Sequence, residues 1–122
     1  MKASISVAAS GVATLSAVQD LEVEAIGSMD VLVAAGDTVA VDVQPGPVDR
    51  LRLVFITADS YSDTLTYTVT GGPADVVLDG PELFMGTGVI ALLGATPNVF
   101  TFTNGGAEDV NVTVLVGRRV TD

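Results

Sequence analysis

Val110, Val112, Val114 and Val116 alternate with Asn111, Thr113 and Leu115, and a period of two puts one set of side chains on each face of an extended strand. A helix would scatter those four valines around its circumference. Thr64 to Thr70 repeats the device, with Leu65, Tyr67 and Val69 set between four threonines. Val39, Val41 and Val43 do the same against Thr38, Ala40 and Asp42. β-Branched side chains suit a pleated, half-buried surface, and 21 of the 122 residues are valine. The chain reads as sheet.

Turn signals divide it. A first strand is expected at about residues 3 to 9 and a second at 12 to 18, with Gly11 between them. Leu21, Val23 and Ala25 alternate with Glu22 and Glu24 in a third strand, which Gly27-Ser28 is expected to end. Gln44-Pro45-Gly46-Pro47 forces a loop, because its two prolines remove backbone donors and Pro-Gly is a turn pair. Leu51 to Ala58 is apolar on both faces, so it is expected to be a central strand packed on both sides or lying at a subunit contact. Pro81 to Met85 suits a single helical turn. Gly86-Thr87-Gly88 then leads into a strand from Val89 to Leu93. Asn104-Gly105-Gly106 is expected to join the strand at Val99 to Thr103 to the valine ladder as a hairpin with an extended loop.

Eight to ten short strands, with turn signals about every 8 to 12 residues, predict an all-β fold. The expected architecture is an antiparallel β-sandwich of jelly-roll or Greek-key type, one domain over residues 1–122. Residues 1–20 read as an N-terminal arm or edge strand making intersubunit contacts. Met1-Lys2 followed by Ala3 to Val18 has the outline of a secretory signal. Ser4, Ser6, Ser10, Gly11, Thr14 and Ser16 break its apolar stretch, and it is read instead as part of the folded chain. Both chain ends are expected to be docked.

Several kinds of chemistry are excluded by what is missing. There is no cysteine and no histidine, which removes thiolate nucleophiles, thiolate metal sites and the side chain that titrates nearest neutrality. A serine or threonine nucleophile needs an activating base, and the only lysine is Lys2. Carboxylates could work in pairs, as in glycoside hydrolysis, at Asp75 with Asp79 or Asp59 with Asp63. Each of these abuts a Gly, Pro or Ser turn, where aspartate serves the local backbone. Asp59, Asp63, Asp75, Asp79 and Glu82 could gather around calcium, although no Asp-x-Asp-x-Asp-Gly loop is present. The reading is a non-enzymatic protein without a cofactor.

Five basic residues against fifteen acidic ones give a net charge of -10. That sign opposes nucleic acid and anionic membrane surfaces, and no apolar run reaches the roughly 18 residues of a spanning helix. Charged residues make up only 16% of the chain, against roughly 25% in ordinary soluble domains. Some apolar surface is therefore expected to meet another subunit or a partner. Arg50 and Arg52 lie two apart on one strand face, and Arg118-Arg119 closes the valine ladder. Together with Lys2 these are the expected partner-binding residues, arginine's planar fork being suited to carboxylates.

Leu65-Thr66-Tyr67-Thr68-Val69, Val76-Val77-Leu78-Asp79-Gly80-Pro81 and Val112-Thr113-Val114-Leu115-Val116-Gly117-Arg118 give the stretch from Leu51 to Arg119 its resemblance to the small β-sandwich decoration, or cement, proteins of tailed-bacteriophage capsids. It covers a little over half of the chain. The resemblance implies a jelly-roll structural protein of the virion, a homo-oligomer with a trimer favoured. Such a protein sits on the outer capsid surface and clamps the major capsid (coat) protein. It implies no catalytic residues. The alternative is a β-sandwich binding module for carbohydrate or a cell-surface protein, with Tyr61 and Phe84-Met85 as loop-tip contacts.

Overall fold

The computed structural model describes residues 2–7, 11, 15–20, 23, 25–43, 50–94 and 97–119. The expectation that both ends are docked falls on Met1 and residues 120–122, outside that set, and so do Leu21, Glu22 and Glu24 of the third predicted strand. Strands β1 (Lys2–Val7) and β2 (Leu15–Asp20) pair antiparallel as a two-stranded sheet of their own. They are therefore a separate hairpin and not an edge of either main sheet.

The remaining eight strands are β3 (Ala25–Val33), β4 (Thr38–Asp42), β5 (Leu51–Ala58), β6 (Leu65–Val69), β7 (Val76–Val77), β8 (Glu82–Met85), β9 (Val99–Asn104) and β10 (Val110–Arg118). One sheet has the order β3-β10-β5-β8 and the other β4-β9-β6-β7, with every pairing antiparallel. Successive strands change sheet at every connection except β6 to β7. This is jelly-roll connectivity, two interlocked Greek keys.

The core follows from the alternation. Val110, Val112, Val114 and Val116 of β10 point inward, against Val54 and Ile56 of β5 and against Phe100 and Phe102 of β9 with Leu65, Tyr67 and Val69 of β6. Tyr67 stacks on Phe100 at a ring separation of 6.0 Å and tilts against Phe102 at 5.8 Å.

Four local expectations are corrected. Gly27-Ser28 lies inside β3, not at a strand end, because nine consecutive residues from Ala25 to Val33 pair with β10. Pro81 to Met85 is not helical: Glu82–Met85 pairs with β5 as β8. The helical segment comes next, as α1 (Thr87–Ile90) and a 3₁₀ turn (Ala91–Leu93). There a spacing of three buries Ile90 and Leu93 while Val89 and Leu92 stay exposed. Asn104-Gly105-Gly106 is not a hairpin, since β9 and β10 belong to different sheets.

Gly27 offers a mild stabilising change. Its φ is not positive and a Cβ there would meet no atom within 4 Å, beside a void of about 80 Å³ lined by Ala25, Met29, Val43 and Val116. Gly27→Ala restricts the unfolded chain without strain, so a gain of about 0.4–1 kcal/mol is expected in the denaturant midpoint.

Candidate interaction surfaces

The register of β5 against β10 brings the arginines together. Arg118 pairs with Leu51 after a bulge at Gly117/Arg118, and the Arg119 amide donates to the Arg50 carbonyl at 2.8 Å. Arg50, Arg52, Arg118 and Arg119 thus share one end of the β3-β10-β5-β8 sheet, all half-buried. The Arg52 guanidinium donates to the Leu51 carbonyl at 2.9 Å, and all four take part in further polar or electrostatic interactions. The Lys2 backbone lies opposite Asp20 in the hairpin, on a different sheet.

The opposite end is acidic. The Ala35 amide donates to Asp109 and the Asn111 amide to Asp59, both at 3.0 Å. The first bond joins two loops and the second ties a third to β10, and the three loops carry Asp37, Asp59, Asp63, Glu108 and Asp109. Asp59 therefore serves a neighbouring strand, and Asp75 occupies a turn with φ of 53° whose amide donates to the Thr68 hydroxyl at 3.0 Å. Among the described residues no three acids come close enough to share a metal ion, so the five acids that could gather around calcium are not brought together.

The two sheets differ on their outer faces. Outside β4-β9-β6-β7, Thr38, Thr103 and Thr66 form one cross-strand row and Ala40, Thr101 and Thr68 the next. The Thr38 and Thr103 hydroxyls are hydrogen-bonded at 3.2 Å. Outside β3-β10-β5-β8 two rows are largely apolar, Ser28, Leu115, Phe55 and Leu83, then Ile26, Gly117, Leu53 and Met85, and the next, Asp30, Thr113 and Thr57, is polar, with the Thr113 hydroxyl donating to Asp30 at 2.7 Å. Val23 lies over Gly117, where a Cβ would come within 3.1 Å of Val23 Cγ1 and 3.3 Å of Leu53 Cβ. The hairpin covers part of this face. Ala3, Ser4, Ile5 and Ser6 on one side, with Leu53, Phe55, Pro81 and Leu83 on the other, border a cleft of about 590 Å³.

Leu53 is 4% exposed although it points away from the sandwich interior, so β5 is packed on both faces, as the apolar residues on both of its faces predicted. The other members of the outer patch went unremarked in the sequence, because Leu115, Phe55 and Leu83 adjoin only through strand pairing. The loop-tip contacts expected for a binding module are corrected. Tyr61 and Phe84 pack against the core, the Tyr61 hydroxyl accepts from the Ala58 amide at 3.2 Å, and Phe84-Met85 belongs to β8.

One titratable group is set into the interior. The Tyr67 hydroxyl donates to Glu82 at 2.5 Å. Burial raises the tyrosine's pKa far above its ordinary range, and the hydrogen bond and charge of Glu82 add to the rise. Burial also lifts the Glu82 carboxyl; the Tyr67 bond pulls it down and Asp79 pushes it up, leaving it raised from 4.5. Folded Glu82 therefore holds its proton more tightly than the unfolded chain does, and its contribution falls as pH rises from the unfolded value through the folded one. Glu82→Gln is expected to remove this loss. Chemical denaturation of both proteins across pH should show the variant's advantage growing from acid towards neutrality.

No protein-family model matches the chain, and no curated protein or solved structure is significantly similar to it. No helix among the described residues is long and apolar enough to cross a membrane.

Proposed function

We propose that this chain is a non-enzymatic structural protein of a virion, a decoration protein that lies on the outer surface of a tailed-phage capsid and braces its coat subunits. The observation that carries this reading is the difference between the two outer faces. Hydroxyls of Thr38, Thr66, Thr68, Thr101 and Thr103 line one of them, while Ile26, strongly exposed, and Phe55, Leu83 and Leu115, half-buried beside the hairpin, form an apolar patch on the other. A protein that lies flat on a larger body needs one adhesive side and one solvent side, and contiguous apolar surface marks adhesion. The arginine end supplies forks for carboxylates at the margin of the same sheet. Repetition of a modest contact over a symmetric shell gives tight retention through effective concentration.

The test is co-sedimentation of the full chain with purified mature capsids that lack it. Saturable binding at a fixed number of copies per coat subunit is expected, together with a higher temperature of capsid disruption. Arg50→Glu with Arg118→Glu should weaken binding without unfolding the chain, as circular dichroism would check. A folded chain that stays in the supernatant with every capsid tried would overturn the proposal.

A further inference from the structure

Strand β3 pairs with β10 along one side only, which leaves a nine-residue backbone edge with no strand against it among the described residues. Such edges are ordinarily blunted by lysine, proline or a bulge. Ala25 to Val33 has no lysine, proline or bulge, and one acid, Asp30. Its two strongly exposed apolar side chains, Ile26 at 58% and Leu32 at 61%, project from the outer face. They stand three residues to either side of Met29, the midpoint of the strand.

We propose that two copies of this chain pair antiparallel through β3, about a twofold axis at Met29, to make one continuous eight-stranded sheet. In this register each Ile26 lies directly opposite the partner's Leu32, which covers both exposed side chains twice over. Ser28 lies opposite the partner's Asp30, and Met29 opposite itself. All the directly opposed residues differ by an even number, so the outward-pointing amides of one strand meet outward-pointing carbonyls of the other.

Charge favours the same orientation. Ala25 adjoins Arg118 at the arginine end, while Val33 leads into the loops that hold Asp37, Glu108 and Asp109. Antiparallel pairing sets the arginine end of each copy beside the acidic loops of the other. The contact is isologous and closes at two copies, in place of the trimer that the resemblance implies. It does not depend on any capsid.

Light scattering after size exclusion, on the full chain, is expected to give twice the 12.4 kDa subunit mass. Leu32→Lys is exposed and leaves the fold intact, and it is expected to weaken self-association about tenfold or more. The register is read separately, since the chain has no cysteine of its own. An equal mixture of I26C and L32C chains should be joined by a short bismaleimide. I26C alone should not, because its two copies stand about 20 Å apart, six residues along the strand. A monomeric or trimeric mass for the native chain, or cross-linking of I26C alone as efficient as that of the mixture, would overturn the proposal.

Discussion

Asn104→Asp is expected to destabilise the protein by about 4 kcal/mol at neutral pH. Asn104 is the only polar residue buried in the core among the described residues, at 2% exposure. Its side-chain amide donates to the Val33 carbonyl at 3.0 Å and the Glu108 carbonyl at 2.7 Å, and its oxygen accepts from the Gly106 amide at 2.9 Å. These bonds close the chain's passage from β9 in one sheet to β10 in the other. A carboxylate would face two carbonyl oxygens with no hydrogen to offer them. It would either remain charged in a buried site or take up a proton, so the penalty should shrink as pH falls. Denaturant titrations at neutral and acid pH measure both the size and the trend. A loss under about 1 kcal/mol would mean that the loops hold their course without this side chain.

Phe102→Ala is expected to cost about 3–5 kcal/mol. Phe102 is fully buried on β9, opposite Val39 of β4 on one side and Tyr67 of β6 on the other. Its removal opens a void at the middle of the inner face, where the flanking strands are held in register and cannot close in. The loss should appear in the denaturant midpoint with the m-value unchanged. Phe102→Leu, which keeps most of the volume, should lose much less.

The architecture was legible where period two ran long enough. The valines of β10 and the Leu65–Tyr67–Val69 set of β6 occupy the faces that alternation assigned to them, and the apolar run of β5 announced packing on both sides. The errors share one physical origin. Asn104-Gly105-Gly106 is locally a good hairpin turn, but the choice between turning back and crossing to the other sheet is made by Val33 and Glu108, whose carbonyls hold Asn104. Val89 to Leu93 is too short for its period to separate strand from helix, and the burial of Ile90 and Leu93 decides it. Gly27 looked like a breaker because a glycine's tolerance of extended backbone leaves no mark in the sequence. The arginine end was legible only in halves, since Arg50 and Arg119 become neighbours through pairing between segments far apart in the chain.

The position of β10 bears on how the protein is made. β10, the last of the described strands in chain order, lies between β3 and β5, so this sheet has no continuous ladder until residue 118 has emerged. Until then the nascent chain presents two strands with a gap between them, each exposing apolar side chains that await the valines. Pairings this distant are slow to form and prone to aggregation. Closure of this sheet therefore waits for β10, and the yield of soluble protein should depend on holdase chaperones that shield the gap until then.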